Sequence, residues 1–401
     1  MKISITARVL LISLTLPVFV SCGGGSVGTD PLAGGGIGGT GVSVGKITGF
    51  GSVIVNGVEF ETQGATIIKD GINVAVVNSL EDREHLRVGM IVTVHATFNR
   101  DGTTGTASSI EFKDNLEGPV AGVNTQSQTF VVLGQTVIVD GATILEDKVN
   151  NTVVEKDVTK ILDTLALAID NIVEVSGFVE ADGSIRATYI ELKDKVFTPN
   201  TPEEEIELKG SISNLNNDIK TFTLGALTVN FSNVKPENMP GGLSDGLFVE
   251  VKSTAGFNDA GALIASKIEA EDAAPDRKEG DKAEIEGYAK NVSTIDSEVS
   301  FELNGQPVLS TSTTEYKNGI KANVIEDVKL EVEGTVDANG ILIAQKISIE
   351  GKDDSGEESS KDVSLDTGGL PGTEGTSLNT SVDPKGNSNE EPTSEGDGSL
   401  P

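Results

Sequence analysis

The sequence Val88-Gly89-Met90-Ile91-Val92-Thr93-Val94 is followed by a turn at Asp101-Gly102 and then by Ala107-Ser108-Ser109-Ile110-Glu111-Phe112. Two apolar runs joined by an Asp-Gly turn are typical of a β-hairpin. The pattern returns over residues 172–192, 247–268 and 328–349, and one isoleucine marks each copy, at Ile110, Ile190, Ile268 and Ile347. The steps of 80, 78 and 79 residues indicate a repeated unit the size of a small domain.

Another hairpin precedes this one in each copy. In the first copy the chain passes from Gly45 through Val53-Ile54-Val55 to Asn56-Gly57, and Asn-Gly favours a type I′ turn because both positions take positive φ. Later copies run from Glu117-Gly118 to Gly134, from Lys209-Gly210 to Gly225 and from Glu286-Gly287 to Gly305. The predicted order is three strands, a short helix or loop, and two strands, which is the order of OB folds and closes into a small barrel.

The strands alternate between apolar and polar residues, which predicts one buried and one wet face. In the fourth copy Leu330 is expected to point inward and Glu331 toward water. The last strand departs from this rule, because Ala107 and Ile110 have opposite parity. A β-bulge and a strand buried on both faces would each explain the departure.

The variable inserts carry two helical patterns. Residues 153–169 have apolar residues at helical spacing, at Val154, Val158, Ile161, Leu162, Leu165 and Ile169. In the first copy Ser79 is placed to cap a short helix over residues 80–86.

The first copy resembles the DUF5666 family, a family of bacterial domains of unknown function. The resemblance is carried by Gly49-Phe50-Gly51-Ser52-Val53-Ile54-Val55-Asn56-Gly57-Val58-Glu59-Phe60, by Gly64-Ala65-Thr66-Ile67 and by Leu86-Arg87-Val88-Gly89-Met90-Ile91-Val92. The second copy repeats Gly141-Ala142-Thr143-Ile144, whereas the third and fourth keep only the hairpins. The resemblance implies small barrel domains and brings no catalytic residue.

The amino terminus looks like a bacterial lipoprotein signal. Lys2 and Arg8 precede an apolar segment over residues 9–20, which is too short to span a bilayer, and Cys22 follows Ser21 as the lone cysteine of the chain. We therefore expect cleavage before Cys22 and lipidation of Cys22, although the resemblance is imperfect because Phe19 stands where leucine is usual. By resemblance to Gram-negative lipoproteins, Gly23 instead of aspartate implies the outer membrane.

These patterns predict an all-β protein with four tandem OB-like β-barrels. The expected segments are a signal peptide over 1–21, a Gly-rich tether over 22–43, barrels over 44–114, 115–193, 206–271 and 283–350, and a disordered acidic tail over 351–401. Charged linkers with prolines separate the later copies, so few contacts between barrels are expected.

Composition argues against several functions. The net charge of −32 argues against nucleic acid, whose phosphates require a basic groove. His85 and His95 are interpreted as surface residues, since a zinc site needs three or four converging ligands. The pairs Asp70-Gly71, Asp101-Gly102, Asp140-Gly141, Asp182-Gly183 and Asn339-Gly340 are interpreted as turns and not calcium loops, since none has the ligand spacing of an EF-hand.

We expect no catalytic residue, metal or cofactor. The favoured hypothesis is a non-enzymatic binding or spacer protein, held at the membrane by its lipid, with an unknown envelope partner. The alternative is a module that binds a glycan or a protein at the barrel mouths, and an enzyme is the third and disfavoured option. A cluster of exposed aromatic side chains at one mouth would favour the glycan.

Overall fold

The computed structural model describes residues 39–78, 85–150, 152–154, 162, 167–194, 196–201, 205–235, 239, 241–271, 277–296 and 298–350. The described part is built from β-strands, which confirms the predicted all-β class. None of its helical residues forms a segment long and apolar enough to cross a membrane. The predicted signal peptide, most of the tether and the tail lie outside the described residues.

The first repeat is a closed five-stranded barrel with an added hairpin. Its strands are β1 (Gly39–Phe50), β2 (Val53–Val55), β3 (Val58–Glu61), β4 (Thr66–Lys69), β5 (Ile72–Val76), β6 (Ile91–Phe98) and β7 (Thr104–Phe112). Neighbouring strands pair in the order β1-β2-β3-β7-β6 and back to β1, with β3 and β7 parallel. The order matches the OB-like prediction, and the hairpin β4–β5 extends the sheet from β7.

The second repeat closes in the same way. Its strands are β8 (Leu116–Asn124), β9 (Thr129–Val132), β10 (Gln135–Ile138), β11 (Ile144–Asp147), β12 (Thr152–Val154), β13 (Ile172–Val179) and β14 (Ile185–Asp194). The ring runs β8-β9-β10-β14-β13 and back to β8.

The third and fourth repeats keep this strand order with interruptions. Their strands are β15 (Ile206–Asn216), β16 (Thr221–Leu224), β17 (Leu227–Asn230), β18 (Phe248–Ser253), β19 (Leu263–Ile264), β20 (Lys267–Ala270), β21 (Lys282–Tyr288), β22 (Lys290–Ile295), β23 (Glu298–Leu303), β24 (Gln306–Lys317), β25 (Lys329–Val336) and β26 (Leu342–Ile349), with a 3-10 turn at Lys321–Asn323. The last strand of the third repeat is split into β19 and β20, and the first strand of the fourth into β21 and β22.

The predicted turn chemistry is present at the first hairpins. Asn56 has φ 52° and Gly57 has φ 73°, as a type I′ turn requires. The equivalent pair in the fourth repeat, Asn304 and Gly305, has φ 46° and 75°.

A β-bulge explains the mixed parity of the last strands. In β7 the register slips at Ser108, between the pairs His95↔Ser109 and Ala96↔Ala107. Thr188 in β14 and Gln345 in β26 are skipped in the same way, and the third repeat breaks its strand at 265–266. Each bulge therefore lies two residues before the marker isoleucine. The extra residue turns Ala107 and Ile110 to one face, and both are buried.

The repeats are not independent, so the expectation of few contacts between barrels is wrong. Strand β1 pairs in parallel with β21, and β8 pairs with β15, so repeats 1 and 4 share one sheet and repeats 2 and 3 share another. Val42 and Val44 of β1 pack in the core of repeat 4, while Ile47 packs in the core of repeat 1. A single hydrophobic cluster runs through repeats 2 and 3.

The start of the folded part needs correction, and the two predicted helices lie mostly outside the described residues. β1 begins at Gly39, so the folded part starts inside the segment predicted as tether. Val153 and Val154 lie in β12, and the residues that carry most of the helical pattern after them lie outside the described part. Residues 79–84 of the other expected helix are also outside it, and Leu86 is a buried residue of irregular structure.

Candidate functional site: a charged junction between three repeats

A group of charged side chains, which we call the charged junction, lies where the first three repeats meet. Its members are the carboxylates of Asp70, Asp114, Glu117, Glu174, Glu207 and Glu250 and the ammonium groups of Lys69, Lys193, Lys209 and Lys252. Repeat 1 contributes the end of β4, the turn after it and the segment between β7 and β8. Repeat 2 contributes β8, β13 and β14, and repeat 3 contributes β15 and β18.

Strand register aligns the charges of repeats 2 and 3 in one row. Glu174 is opposite Glu117, Glu117 is opposite Glu207, and Glu207 is opposite Lys252. Residues opposite one another in a sheet project from the same face. In a single barrel this face would be the wet one. Here it is covered in part by repeat 1, since Lys69 Nζ lies 3.0 Å from Glu174 Oε2.

Lys209 is at the centre of the charged junction. Its Nζ lies 3.0 Å from Asp114 Oδ1, 3.0 Å from Glu250 Oε1 and 3.8 Å from Asp70 Oδ1, and it also pairs with Glu207. Only 8% of its side chain is exposed. Burial lowers the pKa of Lys209, but the surrounding carboxylates outweigh burial and raise that pKa well above its usual value. The ammonium is therefore charged, and it joins carboxylates of repeat 1 to carboxylates of repeat 3.

Two further lysines form ion pairs with the carboxylates of this row. Lys193 Nζ lies 2.5 Å from Glu117 Oε2 and 3.3 Å from Glu174 Oε2. Lys252 Nζ lies 2.6 Å from Glu207 Oε2 and 3.7 Å from Glu250 Oε2.

The charged junction holds more carboxylates than lysines, six against four, and this excess appears in the pKa values. Burial raises the pKa of Asp114 well above its usual value, against the attraction of Lys209. Burial, together with the charge of Glu174, raises the pKa of Glu117 to about 7. Burial and a hydrogen bond shared with Glu207 raise the pKa of Glu250 to about 7. Burial also acts on Glu207, but hydrogen bonds with Glu250 and the lysines lower its pKa to about 2.

A smaller charged strip follows the contact between repeats 1 and 4. Lys282 Nζ lies 2.7 Å from Glu284 Oε1, and Lys346 pairs with Glu333. Burial raises the pKa of Glu284 and of Glu331 to about 7. Leu330 is fully buried, which confirms its predicted inward parity, but Glu331 is half-buried and does not simply face water.

The residues that the sequence singled out lie mostly elsewhere. Cys22 is outside the described residues. His85 and His95 are half-buried, and neither belongs to the groups of three possible metal ligands found among the described residues. Asp101 and Asp182 cap their own turns, as predicted. Asp70 does more than form a turn, because its carboxylate enters the charged junction.

Sequence reasoning missed the charged junction because it assigned alternate strand positions to solvent. Glu117 and Lys209 were visible as charged residues before the glycine of the first strand, but nothing local shows that another repeat covers them. Exposed aromatic side chains do not cluster in the described part. Phe50 in repeat 1 and Phe257 in repeat 3 are its exposed aromatic residues.

Chemically, the charged junction can share protons between carboxylates, bind a cation and hold repeats together through ion pairs. Strongly shifted pKa values occur both in active sites and in structural ion-pair networks. Lysines contact each of the six carboxylates, and the contacts cross from one repeat to another, as a structural network requires.

Comparison with known proteins gives one result. The family model described as "Domain of unknown function (DUF5666)" matches residues 43–111, 117–191 and 291–348, which together make up half of the chain. The third repeat lies outside these matches, although its strands follow the same order. No curated protein matches the chain.

Proposed function

Since the chain belongs to the DUF5666 family, whose function is unknown, we propose its role from sequence and architecture together. It is a non-enzymatic protein of the bacterial cell envelope, anchored to the outer membrane through a lipid on Cys22. It holds a stiff body of four joined barrels at the membrane surface, where it acts as a spacer or presents a surface to an envelope partner.

The observation that carries this proposal is the position of β1. This strand is the first described element after the predicted lipid attachment site, and it lies between β6 of repeat 1 and β21 of repeat 4. Tension on the tether would therefore act on the first and last repeats together. The joined sheets of repeats 2 and 3, and the ion pairs of the charged junction, connect the remaining repeats.

The amino-terminal sequence supports the anchor. Sixteen residues, 23–38, separate Cys22 from β1, and half of them are glycine. A Gly-rich sequence of that length is typical of a tether with a root-mean-square span of about 20 to 25 Å. Such a tether would keep the barrels close to the membrane and leave them free to turn. The net charge of −32 is consistent with a partner other than nucleic acid.

The anchor is tested by changing residues around the cleavage site. Cys22→Ser should move the protein from the membrane to the soluble fraction, whereas Ser21→Ala, which keeps a small residue before Cys22, should leave it bound. Mass spectrometry of the wild-type amino-terminal peptide should show acyl chains on Cys22. A Cys22→Ser protein that stays in the membrane, with no acyl chains on the wild type, would reject the anchor.

The outer-membrane assignment needs a separate test. Gly23→Asp should shift the lipidated protein toward the inner membrane on a density gradient. An identical distribution of Gly23→Asp and wild type would show that Gly23 does not determine the location.

A further inference from the structure

Two groups of three carboxylates in the charged junction have ligand oxygens that all lie within 4.8 Å of one another. One group is Asp70, Asp114 and Glu207, and the other is Asp114, Glu117 and Glu174. The ammonium of Lys209 contacts each member of the first group, so this group already surrounds a cation. The second group differs, because Lys193 contacts Glu117 and Glu174 while Asp114 pairs with Lys209.

Glu174, a member of the second group, has a buried carboxylate oxygen without a hydrogen-bond partner. The side chain of Glu174 is only 1% exposed. Its Oε2 accepts hydrogen bonds from Lys69 and Lys193, but its Oε1 is buried without a hydrogen-bond partner. A buried carboxylate oxygen that lacks a donor is costly, and such atoms point to a bound group that completes their coordination.

We propose that Asp114, Glu117 and Glu174 bind one hard divalent cation of the Ca²⁺ class. Carboxylate oxygens are the ligands that such cations prefer. Oxygens around a Ca²⁺ ion at about 2.4 Å are at most about 4.8 Å apart, and the oxygens of this group lie within that limit. Mg²⁺ needs a smaller and nearly ideal octahedral shell, which three fixed carboxylates supply less well.

Charge favours the same occupant. Carboxylates outnumber lysines in the charged junction, so a bound cation would reduce the repulsion between them. Lys193 is the ammonium that the ion would displace. Since 32% of its side chain is exposed, its flexible stem can turn toward solvent when the ion enters.

The cation would join two repeats through one ion, because Asp114 ends repeat 1 while Glu117 and Glu174 belong to repeat 2. This inference does not depend on the lipid anchor. Either can fail while the other holds.

The test is calorimetric titration of CaCl₂ into the purified protein at 150 mM salt, which screens loose association with the acidic surface. The wild type should show one saturable site. Glu174→Gln should weaken it by about tenfold or more, because affinity follows the number of charged ligands. Glu191→Gln is the matched control, since Glu191 lies opposite Glu174 on β14 but outside the group. It should bind like the wild type.

Lys193→Met gives an opposite readout that misfolding cannot imitate. Without the competing ammonium, Ca²⁺ should bind about tenfold more tightly. The proposal is overturned if Glu174→Gln binds like the wild type, if uptake by the wild type does not saturate, or if Lys193→Met weakens a site that Glu191→Gln retains. Melting curves in EDTA check that each variant is folded.

Discussion

Replacing Lys209 with methionine tests whether the charged junction is buried as the structure shows. Methionine keeps most of the volume of the aliphatic stem and removes the ammonium group. The side chain is 8% exposed, and its Nζ lies 3.0 Å from both Asp114 and Glu250. Lys209→Met leaves carboxylates close together without their central cation.

The expected cost follows from this geometry. Removing one partner of a buried ion pair typically destabilises a protein by about 3 to 5 kcal/mol, because the remaining charge stays in a medium of low polarity. Native domains have only about 5 to 15 kcal/mol of stability, so the variant should fold but with a large loss. An exposed pair contributes only about 0 to 1 kcal/mol. Lys267, which is 43% exposed and pairs with Glu269 at 2.6 Å, supplies the matched control Lys267→Met.

Urea unfolding, followed by circular dichroism in EDTA, measures both variants, since urea does not change ionic strength. Lys209→Met should lower the free energy of unfolding by about 3 to 5 kcal/mol, and adding Asp114→Asn should recover part of the loss by removing an unpaired carboxylate. A loss for Lys209→Met no larger than that for Lys267→Met would show that Lys209 is solvated. The packing of repeat 1 on repeats 2 and 3 would then be wrong.

Three further predictions concern the contact between repeats 1 and 4. The pKa values of Glu284 and Glu331 are raised to about 7 in the folded state, so the folded chain binds more protons than the unfolded chain above pH 4.5. The free energy of unfolding, measured with urea in EDTA, should therefore fall as pH rises from about 5 to 7.5. Glu284→Gln should flatten this profile, and a wild-type stability that rises through this range would contradict it. Leu330→Ala should lower the free energy of unfolding by about 2 to 5 kcal/mol because it leaves a cavity. Glu331→Gln should leave that free energy nearly unchanged at pH 7. If Glu331→Gln were the more damaging change, the strand register would be wrong. Residues 280–350 alone should give a poorly dispersed NMR spectrum, and fusing residues 39–50 should restore dispersion, since Val42 and Val44 complete the core. A well-dispersed spectrum of 280–350 alone would show that β1 is not needed.

The sequence by itself determined the features that depend on neighbouring residues. The Asn56-Gly57 turn, the alternation around Leu330 and the repeat marked by Ile110 are local patterns, and the structure has them as predicted. The pairings β2–β3 and β6–β7 also followed from the sequence, because hairpins join strands that are adjacent in the chain. The opposite strand parity of Ala107 and Ile110 showed that the last strand is irregular. Only its pairing with the neighbouring strand showed that the irregularity is a β-bulge.

Tertiary structure alone decided how the repeats meet. The pairing of β1 with β21 joins residues about 240 positions apart, and no turn or periodicity records such a contact. The alternation of apolar and polar residues predicts only that the side chains of Glu117, Glu174 and Lys209 point away from the core of their own barrel. Whether that face meets water or a neighbouring repeat depends on packing between barrels. The charged junction therefore exists only in the assembled body, where burial changes both the pKa values and the ligands that these residues can bind.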